Sequence, residues 1–568
     1  MSAAGRACKQ SSAVLVRVRY SEAGWVLPWT ASTNNLLVKV KNITLACFAL
    51  GKKLRIIEDK ALLLKVREPK RITEVIPKSK ILDSGEVLVK WGMEEAQVLK
   101  NLRIKNVPSP IVAHYNWPGL YKPFDHQKDT AAFLTLNRRA FCFNEQGTGK
   151  TGSVIWAADY LMKLGMIKRV LILCPLSIMQ SAWQNDLFKF ALHRTCAVAH
   201  SHSRDKRISA VQSEAEFVIC NYDGLGIIRD AVEQEEFDLV VIDEANAYKT
   251  VSTKRWKILN SVIKPSTWVW MLTGTPASQS PTDAYGLARI VNPAGVPKFF
   301  GSFRDMVMQK ITTFKWVPKP NSEDTVHKAL QPAIRFTKKE CLDLPDITYV
   351  TRQIPLTPQQ NKYYEMLRKH MVAVAAGEEI TTVNAAANLN KLLQLSCGAV
   401  YSDSGETIAF DASNRMEALK EVIDEASHKV IVFVPYTHSI HIINEELKKS
   451  GYSCAIINGE VSAGKRTDIF NKFQTEDNPR VLVIQPQAAS HGVTLTAANV
   501  VVYWSPVMSV ETYLQCNARP HRAGQHNPVT IVHLQGSPVE KRMYAMLEAK
   551  IDIHSRVIDL YKNLLEED

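Results

Sequence analysis

Residues 144–151 read NEQGTGKT; the apolar run RAFCF at 139–143 precedes them and GSVIWAADYLMKLG at 152–165 follows. A strand that ends in a glycine loop and opens a helix gathers backbone N–H groups at a helix N-terminus, a ready site for a phosphate chain. In this order Lys150 is expected near the outer phosphates and Thr151 on Mg²⁺. Thr148 lies within the cradle, and Gly147 and Gly149 let the backbone approach closely. Asn144 stands where the strict pattern has glycine, so a chance match in an unrelated loop is the alternative, opposed by the flanking strand and helix.

Outward from this loop, short apolar runs recur: RVLILCP at 169–175, EFVICNY at 216–222, LVVIDEA at 239–245 and WVWMLTG at 268–274. A second set is KVIVFVPY at 429–436, RVLVIQP at 480–486, NVVVYWS at 499–505 and VTIVHL at 529–534. Continuous runs rich in Val and Ile suit strands buried on both faces, as in parallel sheets covered by helices, so the fold class is α/β. The two sets are separated by a stretch that reads mostly helical, including QQNKYYEMLRKHMVAVAAGEE and NAAANLNKLLQLS. The expected organisation is a basic N-terminal arm at 1–52, a small β-leaning accessory domain at 53–114 and a first lobe at 115–295. A helical insertion and linker at 296–416, a second lobe at 417–540 and a C-terminal helix at 541–568 follow.

Three further patterns carry chemistry. LVVIDEANAYK leaves Asp243 and Glu244 at the end of a buried strand, where Asp243 suits a Mg²⁺ partner and Glu244 a carboxylate that orients and deprotonates a water. An isolated Asp-Glu pair there is ordinarily only a helix-start signal; beside a phosphate loop the catalytic reading gains. In SVETYLQCNARPHRAGQ, Gln515, Arg519 and Arg522 fall at i, i+4 and i+7 and share one face if helical, although Pro520 marks a turn. Guanidinium groups brought from a second lobe stabilise charge on a transferring phosphoryl group; a solvated arginine pair is the alternative. In YKPFDHQKD, Phe124 could stack on a purine and Gln127 bond its edge, a weak signal alone.

The chain has 568 residues, enough for about three domains, with 46% apolar and 22% charged residues, the composition of an ordinary globular protein. The formal charge of +14 is concentrated at one end: the first 110 residues hold 20 Lys and Arg against 9 Asp and Glu, the remainder 50 against 47. That asymmetry suits a polyphosphate partner or a solvated basic face. The ten cysteines are scattered singly, with no Cys-x-x-Cys pair, so a disulfide scaffold and a structural zinc site are not expected. No apolar run approaches the ~20 residues of a membrane span and no signal-peptide core is present. The expectation is a cytoplasmic protein without a membrane partner.

Taken in order, these segments resemble the Swi/Snf-like ATPases of helicase superfamily two. NEQGTGKT resembles their phosphate loop, which likewise lacks the first glycine. LILCPLSIMQSAWQNDLFKF is similar to motif Ia, VIDEANAYK to the DEAH box and LTGTPASQSPTDAYGLARIVNP to motif III. KVIVFVPYTHSI resembles motif IV, and INGEVSAGKRTDIFNKFQ carries Gly459, Arg466 and Phe473 at family positions. ASHGVTLTAANVVVYWSP resembles motif V and QCNARPHRAGQ motif VI, while RFTKKECLDLPD with LTPQQNKYYEML resembles the linker signature. Asn246 replaces the DEAH-box His and Ala518 the usual acidic or glycine residue, departures that bear on coupling more than on hydrolysis. The segment 53–119 resembles Swi/Snf-type helicases encoded by bacteriophages.

The resemblance implies two RecA-like lobes clamping ATP and Mg²⁺, with nucleotide contacts from Phe124, Gln127 and Gln515 beside the phosphate loop. It implies DNA contacts at Ser177, at Thr273, Gly274 and Thr275, at Arg466, and at Ser490 and Gly492, groups that meet phosphate oxygens without reading bases. The function so implied is a monomeric, DNA-dependent ATPase translocating on duplex or branched DNA, in phage replication, recombination or repair with other proteins of those processes. Rival readings are a strand-separating or branch-migrating helicase, a restriction-type motor subunit, and a DNA-binding scaffold with an inactive motor.

Overall fold

The computed structural model describes residues 54–277, 280–312, 316–377, 382–401, 407–489 and 493–549. The expected N-terminal arm, the C-terminal helix beyond residue 549, and the expected DNA contacts Ser490 and Gly492 lie outside the described residues.

Two parallel sheets organise the chain. The first is seven-stranded, in the order Ala333–Ile334, Arg139–Cys142, Trp268–Leu272, Leu239–Ile242, Val170–Cys174, Phe217–Asn221, Cys196–Val198. The second is six-stranded, in the order Ile347–Gln353, Val529–Gln535, Ala498–Tyr503, Lys429–Phe433, Val481–Ile484, Cys454–Ile457. Each neighbouring pair in both sheets runs parallel.

Successive strand residues point to opposite faces, and both faces are covered by helices. Thus Val170, Ile172 and Cys174 pack in one buried cluster while Leu171 and Leu173 pack in another. Ile431 and Phe433 divide from Val430 and Val432 in the same way in the second sheet. This double burial is why the nine runs read as continuously apolar.

The stretch expected to be mostly helical does hold the helices Pro358–Gly377 and Thr382–Ser396. It also supplies an edge strand to each sheet, Ala333–Ile334 to the first and Ile347–Gln353 to the second. The latter, ITYVTRQ, is mostly exposed, so it lacks the apolar continuity of an interior strand. A short hairpin, Met308–Lys310 with Trp316–Pro318, also lies within this stretch.

Before the first lobe, an antiparallel sheet with the order Leu54–Ile57, Ala61–Leu64, Val87–Lys90, Ser79–Ile81 packs with the helix Met93–Asn101 around Leu62, Val89, Trp91 and Leu99. It is pinned to the first lobe by Gln97 Nε2 donating to the Thr135 carbonyl (3.1 Å) and Lys100 Nζ donating to the Leu136 carbonyl (3.0 Å).

In the second lobe, Arg415 on the helix Ser413–Glu425 meets Glu540 on the helix Pro538–Glu548 with two parallel 2.8 Å bonds. Both are buried, and Glu540 Oε2 also accepts from the Gly536 and Ser537 amides. The charge is therefore fully paired. Arg415→Met leaves the carboxylate buried without its partner and is expected to lower unfolding free energy by about 3–5 kcal/mol, read by denaturant melts.

Candidate functional site

The strand Arg139–Cys142 ends in the phosphate loop, and the helix Lys150–Lys163 begins at its last residues. Gly147 and Gly149 have φ of +85° and +77°, a region where a side chain is strained. Lys150 Nζ donates to the Asn144 carbonyl (2.9 Å) and the Glu145 carbonyl (3.3 Å), which curls the loop around its amine. Asn144, in place of the pattern's first glycine, is buried and structural. Its Nδ2 donates to Thr130 Oγ1 (2.8 Å), and its Oδ1 accepts the Phe336 amide (3.0 Å), tying the loop to the linker.

Gln127 acts as a brace. Its Oε1 accepts the Phe124 amide (2.9 Å) and its Nε2 donates to the Gly149 carbonyl (3.1 Å), so both ends of the amide already serve the loop. Gln127, expected to bond a purine edge, lines the same cavity as Phe124 while bracing the backbone there. Phe124 is 51% exposed with its ring stacked on His126, leaving a face open for a base.

Opposite the loop, Asp243 and Glu244 follow the strand Leu239–Ile242. Asp243 Oδ2 accepts Trp183 Nε1 (3.0 Å) and its Oδ1 accepts the Glu244 amide (3.0 Å). Glu244 has the left-handed backbone φ +47°, ψ 56°, a conformation a non-glycine residue holds only at a cost, and its Oε2 is buried without a hydrogen-bond partner. Tyr222 Oη donates to the Asp243 carbonyl (2.5 Å), steadying this turn. Burial, then the Asp243 charge, pushes the Glu244 carboxyl up to about 8, against the pull of Lys150 and Arg519. Burial likewise raises Asp243, opposed first by Lys150. A carboxylate pair so placed is suited to a bound divalent cation, with Asp243 and Thr151 as the protein groups to hold it. Both line the same cavity.

That cavity, of about 770 Å³, runs between the lobes. The first lobe contributes Phe124, the phosphate loop, Asp243 and Glu244; the second contributes Thr467, Asn471, Arg519 and Arg522. A Cβ placed on Gly147 would stand 3.0 Å from Arg522 Cβ, so the second-lobe arginine loop lies directly against the phosphate loop. Arg519 and Arg522 both donate to the Val493 carbonyl (3.3 and 3.2 Å). Burial and the neighbouring Arg522 push Arg519 down to about 10, a sign of cations crowded together with too little negative charge.

The helix Val510–Asn517 stops before either arginine, so the face expected for Gln515, Arg519 and Arg522 ends at a turn around Pro520, which restricts the residue before it. Gln515 is buried and is not among the residues lining the cavity. Its carbonyl accepts Arg519 Nε (2.8 Å) and its Nε2 donates to Glu511 Oε1 (3.4 Å), which makes it a support for the arginine instead of the nucleotide contact expected.

Thr273 and Gly274, expected to contact DNA, are buried in the scaffold. Thr273 is fully buried and therefore cannot touch a phosphate; its Oγ1 accepts the Thr275 amide (3.3 Å). Gly274 packs on Gln146, where a Cβ would meet the Gln146 side chain at 3.2 Å. Arg466 donates to the Asn458 carbonyl (2.8 Å), bracing the Gly459 loop. Ser177 sits in the turn Leu176–Ile178 after the strand Val170–Cys174.

Asn246, at the DEAH-box His position, donates to the Thr275 carbonyl (3.0 Å) and to Glu511 Oε1 (3.0 Å), joining the Glu244 turn to the 273–275 segment and the second lobe. Trp183, Tyr222, Glu511 and Gln146 were not singled out from sequence. Gln146 is buried in the cavity wall with both amide atoms unpartnered. Only its place inside NEQGTGKT could have marked it.

A family model for the SNF2-related domain matches residues 88–398, and one for the helicase conserved C-terminal domain matches 414–524. The Caenorhabditis elegans homolog of SWI/SNF-related matrix-associated actin-dependent regulator of chromatin subfamily A-like protein 1 is 26% identical over 81% of this chain and 65% of its own length. Zebrafish (Danio rerio) chromodomain-helicase-DNA-binding protein 1-like is 25% identical over 73% and 41%, and an uncharacterized ATP-dependent helicase of Mycoplasma pneumoniae 26% over 75% and 41%. The matches thus span about 41–65% of these relatives' lengths. The Sulfolobus solfataricus SWI2/SNF2 ATPase core in complex with dsDNA is 22% identical, covering 79% of this chain and 96% of that one at a TM-score of 0.39.

The raised Glu244 carboxyl has a thermodynamic signature. The folded state keeps this proton to higher pH than an unfolded chain, whose carboxyl titrates at 4.5, so the stability tied to Glu244 declines as pH climbs from about 4.5 towards 8. Glu244→Gln is expected to gain stability relative to the parent as pH rises from about 4.5 to 8, measured by nucleotide-free denaturant melts at both pH values.

Proposed function

Since the chain belongs to the SNF2-related family, we propose that it is a DNA-dependent ATPase that translocates on duplex DNA and remodels protein–DNA or branched structures. The observation that carries this reading is the approach of Arg522 to Gly147 across the lobes: hydrolysis then depends on closure, which is how a motor links turnover to movement.

The geometry supports the following roles. The phosphate-loop amides and Lys150 hold the triphosphate of ATP, and Phe124 offers a stacking face to the base. Mg²⁺ bound with the nucleotide would neutralise phosphate charge, with Thr151 and Asp243 as its protein ligands. Glu244, whose free carboxylate oxygen faces no donor, orients and deprotonates the attacking water. Arg519 and Arg522 stabilise charge on the departing phosphoryl group. Asn246 and Glu511 report the state of that site to the second lobe.

Ser177, Thr275, Arg466 and the 490–492 segment are proposed to meet the DNA backbone. The likeness of residues 53–119 to phage-encoded helicases supports a place in phage replication, recombination or repair, as a monomeric motor in the host cytoplasm. The rival reading, strand separation, has in its favour the antiparallel pair Met308–Lys310 and Trp316–Pro318, which would serve as a wedge, with Ile311 exposed next to it.

ATP turnover measured without DNA and with single-stranded, duplex and forked DNA tests this. Duplex is expected to stimulate more than single strands, with Lys150→Ala and Arg522→Ala lowering turnover about 100-fold or more. Strand displacement on the fork without preferential duplex stimulation would replace the translocase reading with the helicase one.

A further inference from the structure

The linker segment Phe336–Lys338 runs alongside the start of the phosphate loop. The Glu145 amide donates to the Phe336 carbonyl (2.9 Å), the Phe336 amide to Asn144 Oδ1 (3.0 Å) and the Lys338 amide to Glu145 Oε2 (3.0 Å). Every acceptor or donor on the loop side belongs to the two residues preceding Gln146, so the segment is registered to the loop by its backbone.

From that anchored position the Lys338 side chain crosses to the second lobe. Its methylenes pass Gly147, where a Cβ would come within 3.5 Å of Lys338 Cε, and its Nζ donates to the His521 carbonyl at 3.0 Å. His521 lies between the two arginines, and its own ring Nε2 is held by the Pro345 carbonyl (2.8 Å), also from the linker. One carbonyl partner leaves most of an ammonium group's donor capacity unmet. Burial, then Arg519 and Arg522, push the amine down to about 7, which is the electrostatic trace of a lysine enclosed beside like charges.

We propose that Lys338 is a positioning residue for the hydrolytic step: it holds the 519–522 arginine loop of the second lobe against the phosphate loop of the first. The inference rests on the ATPase reading above. Lys338 thereby acts through Arg522, and the linker itself becomes part of the closing mechanism. A lysine suits the task because its long apolar stem can slide past Gly147 while the single terminal amine reaches a backbone carbonyl. The contact places a cation beside the arginines at the point where a triphosphate's charge would relieve their mutual repulsion. Tightening of the lobes on ATP is therefore favoured by a group that neither lobe's helicase motifs contain.

The test compares the full-length parent, Lys338→Met, Arg522→Ala and the double variant at saturating duplex DNA. It reads kcat and KM for MgATP, affinity for a fluorescent ATP analogue, and thermal melting. Lys338→Met is expected to lower kcat between about 10-fold and 100-fold while KM and analogue affinity stay within about threefold, as misplacement of a catalytic group does. The double variant is expected to turn over no more slowly than Arg522→Ala alone, because a residue acting through Arg522 has nothing further to lose.

A Lys338→Met kcat within about twofold of the parent overturns the proposal, as do multiplying effects in the double variant. Loss of analogue affinity equal to the loss in kcat overturns it too, since it would make Lys338 a direct phosphate contact. Lys338→Gln, which keeps a donor on a shorter stem, is judged by the same criteria if the Met variant melts early. A parent without ATP turnover fails the ATPase reading, whereas an active parent with an unaffected Lys338→Met fails only this one.

Discussion

The close approach of Gly147 and Arg522 is the constraint on which the site depends. Two loops separated by nearly four hundred residues meet with 3.0 Å between a hypothetical Cβ and Arg522 Cβ, so a side chain on the first would force the second away. Glycine is required there twice over, because the φ of +85° already disfavours any side chain. Gly147, Arg522 and Phe124 all line the cavity between the lobes.

The same approach creates an electrostatic problem. Lys150, Lys338, Arg519 and Arg522 crowd together, and Asp243 and Glu244 are buried opposite. Two like charges a few ångströms apart repel by about 4 kcal/mol at the effective dielectric of a protein surface. Burial first, and then these like-charge neighbours, push Glu244 upward and Arg519 and Lys338 downward. A triphosphate with its metal supplies both missing charges, so the arrangement favours the ligand that would relieve it. Stored strain serves the same end at Glu244, whose left-handed backbone holds a carboxylate oxygen clear of any donor.

Around this centre, polar groups that look like ligand contacts in one dimension are braces in three. Gln127 spends its amide on Phe124 and Gly149, Gln515 supports Arg519 and Glu511, and Thr273 is sealed beneath its own turn. Asn246 shows the reverse. A departure from the family motif that put coupling in doubt turns out to bond both Thr275 and, across the lobes, Glu511. An amide of Asn bears two N–H groups in a fixed plane, enough to serve acceptors on both sides at once.

What the amino-acid sequence determined by itself was everything periodicity and local chemistry can carry. Nine doubly buried strands announced themselves as unbroken apolar runs, and NEQGTGKT identified a phosphate loop from its flanking strand and helix. The edge strands Cys196–Val198, Ala333–Ile334, Ile347–Gln353 and Cys454–Ile457 escaped notice because an edge is short or half exposed and leaves no continuous apolar signal. Only the tertiary structure decided which side chains face the cavity and which lock the scaffold. It brought Lys338 and His521 into contact, joined Asn246 to Glu511, and aimed Trp183 at Asp243. These partners lie from 60 to 265 residues apart in the chain, and a hydrogen bond at such range is set by how sheets and lobes pack, which no local pattern of residues encodes.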